Sequence, residues 1–118
     1  MEIVTLLKSL SDENRLRILN LLRCEELCVC EIEYLLDISQ SNASRHLNKL
    51  LIAKVIINEK KAQWVHYRLN DKIIDDYPFL KEFINKELDK HELFKNDLQK
   101  LNAYKNSSLN CENLKLLK

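Results

Sequence analysis

Glycine is absent from all 118 residues, and Pro78 is the only proline. Without glycine there is no glycine-rich loop to cradle a phosphate and no collagen-like repeat. Turns must be made by Asn, Asp, Ser and Lys, with Asn58 or a lysine taking positive φ. Long apolar runs are missing too. No stretch approaches the roughly 18 consecutive apolar residues of a membrane span, and the N-terminus lacks the cationic-then-apolar layout of a secretion signal. Nor is there a nucleophile–base pair or a pair of acids arranged for general acid–base work, so nothing argues for an enzyme. The expectation is a cytoplasmic protein with no membrane contact and no organic cofactor.

An apolar content of 46% in 118 residues suffices for one packed domain. The net charge of +1 hides an uneven distribution. Residues 1–39 carry eight acids and four bases, whereas residues 40–68 carry six bases, Arg45, Lys49, Lys54, Lys60, Lys61 and Arg68, against Glu59 alone. A local basic surface on a near-neutral chain suits a polyanion, although a merely solvated segment would read the same way. Of the four cysteines, Cys24, Cys28 and Cys30 fall within seven positions. In a reducing compartment such a cluster more often binds metal or reacts than forms structural disulfides, with burial as small apolar side chains the alternative.

Apolar spacing predicts helices over 2–10 and from 13 to about Arg23, then a connection "CEEL" and a short helix "VCEIEYLL" ending near Asp37. Ser39 caps a fourth helix that turns Ala43, Leu47, Leu50 and Leu51 inward and Ser41, Asn42, Ser44, Arg45, Asn48 and Lys49 outward. Two helices joined around Asp37-Ile38-Ser39 make a helix-turn-helix. "VIIN" and "WVHYRL" follow as a hairpin with a basic tip. Pro78 opens a last helix predicted to reach about Tyr104, rich in Leu80, Phe83, Ile84, Leu88, Phe94, Leu98 and Leu101. That stripe suggests a dimer interface shared with the first helix, or else cover for the subunit's own core. The fold class is mainly α with a β-hairpin wing: a dimeric winged helix-turn-helix domain over 1–104, with a flexible tail over 105–118.

The segments "SLSDENRLRILNLL", "ELCVCEIEYLL", "ISQSNASRHLNKL" and "QWVHYRLN" together resemble the ArsR/SmtB family of winged-helix metalloregulators over roughly residues 3–70, and "ELCVC" resembles its arsenic-responsive branch. The resemblance implies a homodimeric repressor that binds double-stranded operator DNA and leaves it when a toxic ion binds. Three departures stand out. The glycines common after the recognition helix and at the wing tip are missing from "LLIAKV" and "NEKKAQ". Glu33 stands where a third cysteine often follows, which leaves Cys24 as the substitute. Asp89-Lys90-His91 matches half of the zinc-responsive motif, but Asn102 and Lys105 occupy the other half, so that site is not carried over.

Arsenite and antimonite are soft three-coordinate centres, so Cys28, Cys30 and Cys24 are the expected ligands. Cys111 offers a further sulfur for cadmium or lead. Cys28 and Cys30 on an ideal helix diverge, so joint ligation requires the start of that helix to distort. At the DNA surface, Gln40 and Asn42 suit adenine and Arg45 suits guanine, while Ser41, Ser44 and Lys49 suit phosphates. Lys60, Lys61, Gln63 and Arg68 would let the wing hold backbone or enter the minor groove. His46 is either a structural hydrogen-bonder or a contact. Two rival readings are a thiol-redox repressor and, in another class, a thiol oxidoreductase or metal-transfer protein.

Overall fold

The computed structural model describes residues 1–116. Helix α1 (Glu2–Ser9) leads through a turn into α2 (Glu13–Leu22), whose N-terminus is capped by Asp12 accepting the Arg15 N–H at 3.1 Å. Helices α3 (Val29–Leu36) and α4 (Gln40–Ile52) form the helix-turn-helix. Between them Asp37 takes a left-handed φ of 54°, and Ser39 caps α4 by accepting the Asn42 N–H at 3.2 Å. Strands β2 (Ile56–Lys61) and β3 (Trp64–Leu69) make the wing, pairing antiparallel from Ile56 opposite Leu69 to Lys61 opposite Trp64.

The predicted "CEEL" connection ends in a strand. Leu27–Cys28 (β1) pairs antiparallel with β3, Leu27 opposite Tyr67 and Cys28 opposite His66, giving a three-stranded sheet of order β1-β3-β2. Two residues are too few to display alternation, so periodicity could not reveal this strand.

The missing glycines leave their mark at two places. Helix α4 ends in a Schellman arrangement, with Lys54 N–H donating to Leu51 O at 3.0 Å and Val55 N–H to Leu50 O at 3.2 Å, and this sets Lys54 at φ 64°. Ala62, at the wing tip, sits at φ 56°. A lysine does take positive φ as expected. Asn58 does not, because it lies inside β2 opposite Tyr67.

A short helix, α5 (Asp71–Asp76), follows the wing, and the single last helix expected from Pro78 is several pieces: α6 (Pro78–Glu82), a wide π turn (Phe83–Glu87), a 3-10 turn (Leu88–Lys90) and α7 (Glu92–Lys105), which starts anew after His91 at φ −114°, ψ 129°. The break lets α7 fold back along α2. There Asn20 Nδ2 donates to Phe94 O at 2.9 Å, and Arg17 grips Asp97. As a result Leu80, Ile84, Leu88, Phe94 and Leu101 are buried within one subunit, and Leu80, Ile84 and Leu101 join a core built on Leu6, Ile18, Leu19, Leu21, Ile32, Leu35, Leu47, Leu50 and Ile56. Phe83 and Leu98, the other two residues of the stripe, are half-buried against that core, so much of the stripe covers the chain's own subunit.

The segment expected to be a flexible tail also differs. A short helix, α8 (Cys111–Leu116), lies against α3, with Leu114 buried and the Lys115 ammonium 5.7 Å above the Trp64 ring. One buried leucine in a six-residue helix carries too little period to read as a helix, yet it is enough to seat one. The rest of the predicted tail, residues 117–118, lies outside the described residues. Among the described residues no helix is long and apolar enough to cross a membrane.

Candidate nucleic-acid interface and thiol cluster

Burial of Ala43, Leu47 and Leu50 fixes the rotation of α4 and leaves Gln40, Ser41, Asn42, Ser44, Arg45 and Lys49 exposed together on the opposite face. Arg45 Nη2 donates to Asn42 Oδ1 at 3.2 Å, which holds the guanidinium along the helix. Ser39 and Ser41 hydroxyls lie 3.3 Å apart at its start. On the wing, Lys60, Lys61, Gln63 and Arg68 are exposed. Lys61 is already engaged: its ammonium donates to Glu26 Oε2 at 2.9 Å, and that bond holds the Glu26 carboxyl below the usual range. The acid ahead of β1 therefore ties the wing tip to the cysteine segment, a pairing the sequence reading did not include.

His46 belongs to the structure beneath this face. It is 2% exposed, and its Nδ1 lies 3.3 Å from Arg15 Nη1, whose Nε donates to Ser9 O at 2.7 Å. Since a guanidinium only donates, Nδ1 accepts and the proton of the neutral ring is assigned to Nε2. Burial pushes the His46 pKa down, helped by the positive charges of Arg45, Arg15 and Lys49 and opposed by Asp12, whose carboxylate is 3.6 Å away. Arg15 and Asp12 thereby lock α4 to the start of α2. Sequence inspection had no signal for this beyond the cap.

The four cysteines separate into a pair and two free thiols. Cys28 caps α3, is buried, and is joined by a disulfide to Cys111 of α8, a link spanning 83 positions. Cys24 is free and exposed, and Cys30 is free and half-buried. Cys28 is the extended N-cap residue and is tied to α8, while Cys30 lies inside the first turn of α3. The third member of the cluster is Glu31. Cys28 Sγ, Cys111 Sγ and a Glu31 carboxylate oxygen all lie within 4.8 Å of one another. Glu31 Oε1 accepts the Cys28 N–H at 3.0 Å, and Oε2 accepts the Tyr104 hydroxyl of α7. Burial, followed by that bond to Glu31, pushes the Tyr104 pKa well up. The expectation of a Cys24–Cys28–Cys30 triad and the geometry thus part company: this conformation gathers two sulfurs and a carboxylate, and leaves Cys24 and Cys30 apart. Asp89 and His91, of the half zinc motif, are held separately by Arg23 and Glu87.

Residues 12–56 match the model of the arsR family of bacterial regulatory proteins. The chain is 43% identical over 67 residues to the arsenic resistance transcriptional regulator ArsR1 of Pseudomonas putida, covering 56% of this chain and 52% of that one. It therefore spans about half the length of that relative. It is 40% identical over 75 residues to the arsenical resistance operon repressor of Staphylococcus aureus, covering 64% of this chain and 72% of that one. In fold it is similar to the homodimeric winged helix-turn-helix DNA-binding domain of Mb0332 from Mycobacterium bovis, with a TM-score of 0.62 at 21% identity, covering 77% of this chain and 85% of that one.

Proposed function

The chain belongs to the arsR family of bacterial regulatory proteins, and from that premise we propose that it binds operator DNA as a homodimer and releases it when a soft thiophilic ion, arsenite or antimonite first among them, is captured at the cysteine segment. The observation that carries this reading is the position of Cys28. It is at once the cap of α3, which packs on α4, and the ladder partner of His66 in the wing. Sulfur ligation there acts on both elements that would grip the duplex.

Three-sulfur capture by Cys28, Cys30 and Cys24 requires Cys28 to part from Cys111 and the first turn of α3 to open, because Cys28 is buried at the N-cap while Cys30 stands free within the helix. Opening that turn disturbs the seat of α4, and linkage requires DNA to weaken ion binding in return. A coupling of about 1–3 kcal/mol lowers operator affinity roughly 5–150-fold. For the dimer, the exposed apolar side chains Val4, Leu7 and Phe79 are the surface that a second copy would cover.

The test replaces each cysteine singly with serine and titrates the reduced protein–operator complex with arsenite, antimonite, cadmium, lead and zinc. Loss of arsenite release in the Cys28→Ser and Cys30→Ser variants supports the reading. Unaltered release in both overturns it.

One observation favours a second reading, in which thiol oxidation is the signal: Cys28 and Cys111 are joined as a disulfide. The balanced step is two thiols plus a hydroperoxide giving the disulfide, an alcohol and water. Release of operator by hydroperoxide alone, abolished in Cys111→Ser, would select this reading over ion capture.

A further inference from the structure

We propose that Lys8, Arg15 and Lys49 form a seat for a phosphate diester of the DNA backbone, which carries the nucleic-acid interface from helix α4 onto helix α1. This rests on the reading above that the chain binds operator DNA, and it adds two residues from outside 40–68, the segment in which charge along the sequence places the basic surface.

The site exists only in the folded chain. A hollow of about 280 Å³ lies between α1, α4 and the start of α2, lined by Thr5, Lys8, Ser9, Arg15, Lys49 and Ile52. Among the described residues no carboxylate lines it. Of the acids that make residues 1–39 negative, Glu2 lies 3.9 Å from Lys54, Glu25 meets Lys105 at 2.7 Å, Glu26 meets Lys61 at 2.9 Å, and Asp12 caps α2 beside His46. Two cations of that acidic third therefore stand next to Lys49. Arg45 and Lys49 are four residues apart on the exposed face of α4, so Arg45, Lys49 and Lys8 follow one another as a basic track from α4 to α1.

The donors present decide the ligand. Arg15 is held in place by Ser9 O at 2.7 Å, His46 Nδ1 at 3.3 Å and Lys8 O at 3.4 Å, which leaves its remaining N–H groups and its charge for an anion. The Thr5 and Ser9 hydroxyls already donate to the carbonyls of Met1 and Leu6. With both hydroxyls committed, the hollow offers charge and little directional bonding, and Lys8 and Lys49 are exposed at its rim. That combination suits a singly charged diester on a passing strand better than a small phosphorylated ligand, which must be gripped on several sides.

The experiment measures, by fluorescence anisotropy across a potassium chloride series, binding of the reduced full chain to a duplex it selects from a random-sequence pool and to a scrambled duplex. Lys8→Ala keeps the Lys8 carbonyl that Arg15 uses, and urea denaturation should show it as stable as wild type. It should weaken both duplexes alike, by about three- to tenfold at low salt, and reduce the slope of log affinity against log salt by about one. Lys8→Arg should restore both, and Lys100→Ala, at an exposed lysine of α7, should change neither. In a set of duplexes each carrying one neutral methylphosphonate, one backbone position should weaken wild type and leave Lys8→Ala unaffected. Replacing chloride by inorganic phosphate at constant ionic strength should weaken wild type and Lys8→Ala equally. Wild-type slope and affinity in Lys8→Ala overturn the seat while leaving the proposed function standing, and a phosphate effect confined to wild type overturns it in favour of a free-anion site. A wild type that selects and binds no duplex sinks the proposed function and this site with it.

Discussion

Cys28 and His66 face each other across the β1–β3 ladder. A disturbance at the thiol therefore reaches the wing through backbone pairing as well as reaching α4 through α3. Arsenite added to reduced protein should shift the amide resonances of residues 64–68 together with those of α3 and α4. If the β3 amides stay fixed while α4 responds, transmission runs through the helices alone.

Lys54 at φ 64° and Ala62 at φ 56° occupy a region that costs a residue with Cβ about 1–2 kcal/mol and costs glycine little. Part of that gain is lost to glycine's greater freedom in the unfolded chain. Ala62→Gly and Lys54→Gly should each stabilise the protein by up to about 1 kcal/mol, seen as a higher urea midpoint. Ala62→Val should lower it.

These two positions also show what the sequence could reveal. The absence of glycine from "LLIAKV" and "NEKKAQ" marked where turns would be forced, and the structure puts the strained residues there. Helices α1 to α4 and the hairpin were readable because each repeats its apolar residues several times. β1 and α8 were not, since two residues and one buried leucine hold no period. The long last helix was over-read for a related reason. An apolar stripe does not say which surface covers it, and Phe94 and Leu101 turned back onto their own subunit. Charge segregation located the basic face, but Glu26 on Lys61 and Arg15 beneath His46 are long-range pairings that only folding brings together.

Arg17 meets Asp97 with two parallel bonds, Nε to Oδ2 at 2.7 Å and Nη2 to Oδ1 at 2.9 Å, and Asp97 is only 2% exposed. Removing the acid leaves a mostly buried guanidinium without its counter-charge. Asp97→Ala should cost about 3 kcal/mol of unfolding free energy, while the double change Arg17→Met with Asp97→Leu should cost much less. Urea denaturation of the single and double variants measures the difference.

Glu26 holds the Lys61 ammonium at 2.9 Å, away from any phosphate. Glu26→Gln should release it, strengthening operator binding at low salt and steepening the dependence of log affinity on log salt by about one ion. Lys60→Ala should flatten that slope by a similar amount, whereas Arg45→Ala should cost about 1–3 kcal/mol on operator and little on scrambled DNA. Fluorescence anisotropy across a salt series separates the three.

His46 gives the protein a pH response distinct from that of its carboxylates. Burial first, then Arg45, Arg15 and Lys49, hold its pKa below the ordinary value of 6.5 against the pull of Asp12. The unfolded chain then takes up a proton near pH 6.5 that the folded chain refuses, so stability is complete above about 6.5 and falls as pH drops toward the lower folded-state pKa. Protonation would also turn the Nδ1 acceptor into a donor facing Arg15 Nη1 at 3.3 Å, breaking the tie between α2 and α4. Asp12 acts in a separate window. Its pKa is held below 3.8, against the upward push of burial, by the Arg15 backbone N–H and the nearby His46 and Arg15 charges, so its contribution is lost only at more acid pH. The midpoint of thermal unfolding should therefore decline from pH 6.5 to 5 in the wild type and stay level over that range in His46→Gln. An equal decline in both would place the titrating group elsewhere.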